Sequence, residues 1–390
     1  MEFIPYGRQN ITEEDIDAVV NVLKSDYLTQ GPKVPEFENA IKEHCNVEYA
    51  LAMNSATSAL HVACLALDVG KDDIVWTTPI TFVASANCAL YCGATVDFVD
   101  IDPKTYNLSI QALREKLQAA KIESKLPKVV IPVHLCGQPC DMESIYALSK
   151  EYGFSIIEDA SHAIGGNYKN EPIGSCQYSD ITIFSFHPVK IITTAEGGVA
   201  TTNGKYLAQK MDLLRSHGIT RDYELMTHEP DGPWYYQQVD LGYNYRMTEM
   251  QAALGASQIK RLPSITKSRH EIANRYDVKL ASLSVTVPFQ IEKSYSGLHL
   301  YVIRLKLGDI KATHLEVFNA LRAANIGVNL HYIPVHLQPY YQKHFNFQMG
   351  DFPQAEQYYK EAISLPLYPD LTEEQQDYIV ETLEGVLKND

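Results

Sequence analysis

The protein has 390 residues, of which 45% are hydrophobic and 21% are charged, and its formal net charge is −15. This composition favours two or three lobes around more than one hydrophobic core, and it excludes a disordered chain, collagen or a coiled coil. The acidic balance, which no basic run offsets, argues against nucleic acid or an anionic membrane as a partner.

No segment of the sequence predicts membrane insertion or export. The apolar runs fall far short of the ~18 consecutive residues that cross a bilayer, and the first ten residues lack a basic segment followed by an apolar stretch. The seven cysteines, an odd number, suit a reduced compartment, and their spacing matches no common zinc pattern. We therefore expect a cytoplasmic protein with free thiols and no metal.

Short apolar runs alternate with helical patterns from about residue 48 to residue 205. Helices are predicted at 57–67 and 83–91, and seven strands are predicted at 49–53, 73–78, 95–99, 129–133, 154–158, 181–186 and 198–201. Such alternation is typical of crossover units that build a largely parallel sheet with helices on both faces. Ligands bind these sheets beyond the carboxyl ends of the strands, where we expect the chemistry.

The pattern changes in the last third of the chain. After helical stretches at 247–262 and 266–283, the sequence predicts further elements: a strand at 299–307, a helix at 313–324, a strand at 327–333, a loop with Pro334 and Pro339, and a helix at 372–387. These elements indicate a second, smaller α/β lobe. We place a large domain at residues 1–260 and a small C-terminal domain at residues 261–390.

Small polar residues, Asn54 to Ser58, follow the first predicted strand and begin a helix. Hydroxyl side chains cap a helix at this position, and the free N–H groups of a helix start also seat a phosphate. From these residues alone, both interpretations remain open.

Two carboxylates, Glu158 and Asp159, stand at the end of the fifth predicted strand. Burying an unpaired charge is costly, so a carboxylate there needs a partner. Such a residue ligates magnesium, acts as a general base or pairs with a cationic ring nitrogen. The alternative is a second helix cap.

A lysine, Lys190, follows the sixth predicted strand in a turn that Pro188 stiffens. Desolvation near a buried strand lowers the pKa of a lysine and makes its amine a nucleophile toward aldehydes, although a solvated surface lysine is the commoner case. A phosphate seat, a carboxylate and a lysine at three strand ends together match the needs of pyridoxal phosphate. The sequence therefore predicts this cofactor.

Four segments together resemble the sugar aminotransferase family, which consists of fold type I pyridoxal phosphate enzymes acting on nucleotide-linked keto-sugars. They are NSATSALH (54–61), EDASHA (158–163), SFHPVKIITTAEGG (185–198) and LGYNYRMTEMQAALG (241–255). The resemblance implies an α/β fold with a large, mostly parallel seven-stranded sheet domain and a smaller C-terminal α/β domain. It is strongest to the branch that moves an amino group from glutamate to C4 of UDP-linked 2-acetamido-2,6-dideoxy-4-hexuloses in pseudaminic acid biosynthesis.

The resemblance also implies roles for individual residues. Lys190 binds the cofactor aldehyde as a Schiff base, and Asp159 forms a salt bridge with the ring nitrogen. The cofactor phosphate is expected to contact Ser55, Ala56, Thr57 and Ser185 and, from the neighbouring subunit, Asn244. The ring face is expected to contact Phe82, and the hydroxyl side of the ring is expected to lie near His162. The protein is therefore expected to be a homodimer with shared sites. For Asn244 a plain turn residue remains the alternative.

The same resemblance implies where the sugar and its diphosphate bind. The implied residues lie in an N-terminal arm (Tyr6, Arg8, Thr29, Gln30, Lys33), and further contacts across the dimer come from Arg246 or His331. Tyr332 is expected to face the nucleotide, with packing in the core as the alternative. Simple solvation of Lys33 and simple packing of Tyr6 remain alternatives.

A lysine at position 190 matches the amine-transferring branch of the family, since sister enzymes that deoxygenate sugars carry histidine there. Residues 323–390 contain no arginine, so the guanidinium that amino-acid transaminases use to hold a substrate carboxylate is not available in its usual region of the small lobe. This favours a sugar acceptor. The alternatives are an enzyme for a GDP- or dTDP-linked keto-sugar that is aminated at C3 or C4, and a cofactor-binding regulator without turnover.

Overall fold

The computed structural model describes residues 1–388. Its α-helices are α1 (Glu13–Leu23), α2 (Lys33–Cys45), α3 (Ala56–Ala66), α4 (Ala84–Tyr91), α5 (Ile110–Glu123), α6 (Met142–Tyr152), α7 (Lys205–Arg215), α8 (Glu249–Gln258), α9 (Leu262–Leu280), α10 (His314–Ala323), α11 (Pro339–Phe345), α12 (Pro353–Glu361) and α13 (Glu373–Lys388). Its strands are β1 (Tyr49–Met53), β2 (Ile74–Thr77), β3 (Thr95–Phe98), β4 (Val129–Ile131), β5 (Ser155–Asp159), β6 (Asn167–Tyr168), β7 (Glu171–Pro172), β8 (Ile181–Ser185), β9 (Gly198–Thr202), β10 (Ile219–Thr220), β11 (Gln237–Gln238), β12 (Val285–Thr286), β13 (Ser294–Tyr295), β14 (Tyr301–Leu305) and β15 (Ala362–Leu365).

The large sheet joins seven strands in the order β1-β9-β8-β5-β4-β2-β3, and these are the seven strands predicted from the sequence. Six of them run parallel, and β9 is antiparallel to both β1 and β8. Parallel neighbours need a crossover, usually a helix, whereas the connection from β8 to β9 is the loop 186–197, and so the chain returns antiparallel. The predicted fold class, α/β with a mostly parallel sheet, is confirmed.

The site-bearing ends of four strands meet at one edge of this sheet. β5 ends at Asp159, β8 ends at Ser185 and β1 ends at Met53. Because β9 is antiparallel, its first residue, Gly198, lies at the same edge and pairs with both Ser185 and Met53. The loop between β8 and β9, which carries Lys190, therefore crosses directly above the ends of the strands.

Gly198 lies in close contact with the start of α3. A Cβ at this position would stand 2.5 Å from the backbone nitrogen of Ala56 and 2.6 Å from the carbonyl carbon of Ser55. We expect Gly198→Ala to displace the helix start, to lower the free energy of unfolding by about 1–3 kcal/mol and to weaken cofactor binding. Denaturation curves and cofactor titration measure the two effects. Gly70→Ala, where no atom lies within 4 Å, is the control; equal behaviour of the two variants would contradict the prediction.

The C-terminal lobe has a three-stranded antiparallel sheet, β12-β14-β15. The predicted elements at 299–307, 313–324 and 372–387 appear as β14, α10 and α13. The capping box at Thr313, whose hydroxyl accepts the Glu316 N–H while the Glu316 carboxylate accepts the Thr313 N–H, explains where α10 begins. Ile4, from the N-terminal segment, is packed in the same apolar core.

Two predictions for this lobe are wrong. Segment 327–333 is not a strand: only an isolated bridge joins Asn329 to Ser364, and the chain then bends toward the large sheet. The third strand is β15 instead, whose four residues are all buried and, apart from Ser364, apolar. Pro339 does not lie in a loop but begins α11, because proline is tolerated in the first turn of a helix.

The predicted domain boundary between residues 260 and 261 falls within a 3-10 turn, Ile259–Arg261, immediately before α9. It stays a prediction. All seven cysteines are free thiols. Within residues 1–388, no helix combines the length and the apolarity that a membrane span requires.

Candidate active site

A cavity of about 460 Å³ opens at the edge of the large sheet where β5 and β8 end. It collects side chains from the N-terminal segment, both lobes and the loop before β9. Of the residues predicted from the sequence, those that line it are Tyr6, Ser55, Ala56, Thr57, Phe82, Asp159, His162, Ser185, Lys190, His331 and Tyr332.

The start of α3 forms one wall of the cavity. Ser55 is the N-cap, and its hydroxyl accepts the Ser58 N–H at 3.1 Å. The N–H groups of Ala56 and Thr57 belong to the first turn, which has no intrahelical acceptor for them, and both residues line the cavity. The cap and the phosphate seat that the sequence left open as alternatives are therefore compatible with each other.

Asp159 is 5% exposed and firmly held. One carboxylate oxygen accepts the Ser161 N–H at 3.1 Å, and the other accepts the Ser85 hydroxyl at 2.5 Å. Ser85 in turn lies 2.7 Å from the Thr81 hydroxyl. These donors orient the carboxylate but are neutral, so the site favours a cationic group in the cavity.

Glu158 faces the opposite side of the sheet from Asp159 and does not line the cavity. Its carboxylate contacts His134 Nε2 at 2.7 Å and accepts hydroxyls from Ser179 at 2.5 Å and Thr182 at 3.1 Å. Among residues 1–388, no group of His, Cys, Asp and Glu side chains is arranged to ligate a metal ion. Glu158 is thus a structural partner of His134.

Lys190 stands in the turn after β8, where its backbone N–H donates to the His187 carbonyl at 2.9 Å. Burial lowers the pKa of the Lys190 amine to about 8, and the nearby negative charge of Asp159 partly opposes this shift. About a tenth of the amine is therefore neutral, and so nucleophilic, at pH 7, far more than for an ordinary lysine.

The pKa of Lys190 predicts how the cofactor-free protein captures an aldehyde. Only the neutral amine attacks, so the rate of capture should rise about tenfold per pH unit below pH 8 and level off above it. Mixing cofactor-free protein with pyridoxal phosphate and following the visible band at a series of pH values measures this. A rate that does not change between about pH 6 and pH 9 would contradict the lowered pKa.

Aromatic and imidazole rings form the wall opposite Lys190. Phe82 is 58% exposed, and its ring lies 6.2 Å from that of Tyr332. Burial, with help from Lys190, lowers the pKa of His331 to about 4, and the same causes hold the pKa of His162 well below its ordinary value. These two histidines are neutral near neutral pH, and among the described residues Lys190 is the one lysine or arginine that lines the cavity.

The remaining predicted site residues do not line the cavity of this chain. Thr29 and Gln30 are exposed between α1 and α2, and Lys33 is the first residue of α2 rather than a loop residue. Its amine pairs with Glu36 at 2.5 Å. Asn244 and Arg246 lie between β11 and α8. Asn244 is exposed, the backbone of Arg246 forms an isolated bridge with Met53, and the buried Nε of Arg246 has no hydrogen-bond partner in residues 1–388. Arg8 is exposed near the N-terminus.

The cavity residues to which sequence reasoning assigned no role include Ser85, His299 and Glu196. Ser85 stands three positions after Phe82, so both face the same side of the turn that begins α4. His299 precedes β14, and its Nδ1 is buried without a partner in the described chain. Glu196 follows Ala195, which has a positive φ of 66°. A polar residue within an apolar pattern is the one signal that these positions offer.

These features fit pyridoxal phosphate. The cavity offers a phosphate seat at the start of α3, a fixed carboxylate for a cationic ring nitrogen, an exposed aromatic face at Phe82 and an amine of lowered pKa. With the large parallel sheet and the smaller C-terminal lobe, they define a fold type I, pyridoxal phosphate-dependent aminotransferase.

The DegT/DnrJ/EryC1/StrS aminotransferase family matches residues 9–384, and the chain belongs to this family. SpsC, a spore coat polysaccharide biosynthesis protein of Bacillus subtilis, is 39% identical over 388 residues, which cover 99% of this chain and 97% of SpsC. A UDP-4-amino-4,6-dideoxy-N-acetyl-beta-L-altrosamine transaminase of Campylobacter jejuni is 38% identical over 390 residues, with 99% and 98% covered.

Solved structures agree with these relationships. PseC of Helicobacter pylori, an aminotransferase of pseudaminic acid biosynthesis, has a TM-score of 0.90 and 32% identity, covering 99% of this chain and 100% of PseC. A protein of Streptococcus pneumoniae assigned as a sugar aminotransferase, solved in its PLP form, has a TM-score of 0.87 at 32% identity, with 99% of both chains covered. The present protein is thus a sugar aminotransferase and an enzyme, not a regulator without turnover.

Proposed function

We propose that the protein transfers the amino group of glutamate to C4 of a UDP-linked 2-acetamido-2,6-dideoxy-4-hexulose, a step of pseudaminic acid biosynthesis. The observation that carries this proposal is the near-complete alignment with the Campylobacter jejuni transaminase at 38% identity. The similarity to PseC, with a TM-score of 0.90, agrees with it.

The cavity supports a sugar as the acceptor. Residues 323–390 contain no arginine, and no arginine side chain of residues 1–388 lines the cavity, so a bidentate arginine clamp for a substrate carboxylate is missing from this chain's share of the site. The rings of Tyr6 and His331 lie 5.4 Å apart at the cavity wall and offer flat apolar faces of the kind that pack against a sugar.

Each residue has a distinct role in this proposal. The cofactor, when bound, supplies an electron sink that stabilises negative charge on the reacting carbon. Lys190 holds it and, once released, moves a proton at the reacting carbon. Asp159, fixed by Ser85 and Ser161, keeps the ring nitrogen cationic. Ser185, with the α3 start, holds the phosphate; Phe82 covers the ring face.

We also propose that the protein is a homodimer in which Asn244 of each subunit reaches the phosphate of the other. The exposure of Asn244 and its absence from the cavity of its own chain support this arrangement. By the same reasoning, Thr29, Gln30, Lys33 and Arg246 serve a nucleotide sugar at a site completed by two chains.

Mixing two inactive variants tests the shared site. Asn244→Ala chains keep Lys190, and Lys190→Ala chains keep Asn244, so each hybrid dimer has one intact site. Random exchange makes half of the dimers hybrids, and about one quarter of the wild-type activity should return. Activity is measured after subunit exchange at low protein concentration. If hybrids form, as shown by two different affinity tags, but remain inactive, the shared site is ruled out.

A second candidate is amination of another nucleotide-linked keto-sugar, which the 39% identity to SpsC favours. The deciding experiment is incubation of the enzyme with glutamate and a panel of UDP-, GDP- and dTDP-linked keto-sugars, with the products identified by mass. Selective conversion of the UDP-linked 4-keto substrate supports the first proposal. Conversion of the others alone would replace it with the second.

A further inference from the structure

The side chains of His162 and Tyr332 form a hydrogen-bonded pair in the cavity. Tyr332 comes from the C-terminal lobe, and its hydroxyl lies 3.1 Å from His162 Nε2. The two rings are stacked at an interplanar angle of 24°. Both residues line the cavity, and Tyr332 is half-buried as a residue.

The backbone of the 3-10 turn Leu135–Gly137 determines which nitrogen of His162 carries the proton. The Cys136 N–H donates to His162 Nδ1 at 3.3 Å, and Cys136 has a left-handed conformation, with φ 60°, which aims this amide at the imidazole. An amide nitrogen only donates, so Nδ1 must offer a lone pair. The proton of the neutral imidazole is therefore on Nε2.

The position of this proton fixes the direction of the next hydrogen bond. Nε2–H of His162 donates to the oxygen of Tyr332, so the hydrogen of the phenol cannot point back at His162. Burial raises the pKa of Tyr332, so the phenol keeps its proton. Its hydrogen is left to point to an acceptor inside the cavity, and among the described residues no side chain or carbonyl accepts it.

Tyr332 stands between the cofactor side and the acceptor side of the cavity. On one side it contacts His162, three residues beyond Asp159, and on the other its ring lies 5.0 Å from that of His331, which in turn contacts Tyr6. Asp159, Lys190 and the start of α3 match the ring nitrogen, the aldehyde and the phosphate of the cofactor, and the resemblance places its hydroxyl side near His162. The hydrogen of Tyr332 is left for the substrate that enters beside Tyr6.

We propose that the hydroxyl of Tyr332 donates a hydrogen bond to the keto oxygen of the sugar acceptor, with His162 and the Cys136 amide as positioning groups. This inference rests on the proposed function, because it requires a carbonyl acceptor. Negative charge gathers on that oxygen as the carbonyl carbon is attacked, and an oriented donor in a cavity shielded from water stabilises it. The step involves no transfer of the phenol proton.

Tyr332→Phe, which removes the hydroxyl and keeps the ring, tests the proposal. Tyr378→Phe is the matched control, since it removes a phenol that donates to the Ala324 carbonyl in the C-terminal lobe, away from the cavity. Three measurements separate the possible roles: a pH titration of the visible absorption of the loaded enzyme, the rate at which glutamate bleaches that absorption, and the single-turnover rate with the keto-sugar.

For Tyr332→Phe we expect an unchanged titration and glutamate rate, and a loss on the order of 10²-fold in the keto-sugar rate; Tyr378→Phe should match the wild type in all three. An unchanged keto-sugar rate in an enzyme whose wild type reacts would overturn this inference alone. A shifted titration with both half-reactions slowed equally would also overturn it, because the phenol would then serve the cofactor ring. If the wild type bleaches with glutamate but aminates no keto-sugar, the proposed function fails, and this inference fails with it.

Discussion

Lys190→Ala is expected to abolish turnover and the yellow colour of the loaded enzyme while leaving the fold intact. The amine both holds the cofactor and moves the proton, so the loss in kcat should reach at least the order of 10⁴-fold, the upper end of what a single acid–base group contributes. Removing the side chain creates little strain, because Lys190 lies in a turn at the cavity wall and its backbone hydrogen bond to His187 does not need the side chain.

Absorption spectra, steady-state rates and circular dichroism together check this result. Lys205→Ala, which removes an exposed lysine at the start of α7, should behave as the wild type. Retained transfer activity in Lys190→Ala, with a native dichroism spectrum, would end the assignment of this lysine. A parallel loss of dichroism would point to a folding role instead.

Asp159→Asn is expected to produce the second largest effect. The amide keeps the size of the side chain and still accepts the Ser161 N–H, but it carries no negative charge for a cationic ring nitrogen. We expect kcat to fall by the order of 10²- to 10³-fold, as when a preorganised electrostatic group is removed. Cofactor should also dissociate faster, which gel filtration followed by absorbance measures.

Glu158→Gln supplies the matched control for this variant. It makes the same change of charge one residue earlier, but on the face of β5 that contacts His134, Ser179 and Thr182. It should cost about 1–3 kcal/mol of stability, since buried hydrogen bonds to a charge are weakened, and leave kcat unchanged. If both variants lose activity equally, the special role of Asp159 is contradicted.

The large sheet was predictable because most of its strands contain short apolar runs, which indicate buried strands by themselves. β8 is apolar or β-branched almost throughout, and all five of its residues are buried, so its pattern does not depend on what surrounds it. The same holds for the end of β5, where Glu158 and Asp159 follow the apolar residues Ile156 and Ile157. The three groups that suggested the cofactor lie at strand ends, which a parallel sheet necessarily brings to one edge.

The C-terminal lobe was harder to predict because some of its apolar segments pack in its own sheet and others face the cavity. Segment 327–333 alternates like a strand, but the side chains of His331 and Tyr332 line the cavity instead of a sheet face. β15 was missed since it directly follows α12 and resembles the end of that helix. Ser85 was missed because its importance comes from Asp159, which is distant in sequence, and propensity arguments do not detect such contacts.

The side chains of Glu158 and Asp159 point to opposite faces of the sheet, and this affects the register in which β5 pairs during folding. Neighbouring residues of a strand point to opposite sides, so a slip of β5 by a single residue would exchange them. Asp159 would then meet His134 within the core and Glu158 would protrude into the cavity, with neither carboxylate at the right depth for its donors. The buried contact between Glu158 and His134 therefore favours the one strand register in which Asp159 faces the cavity.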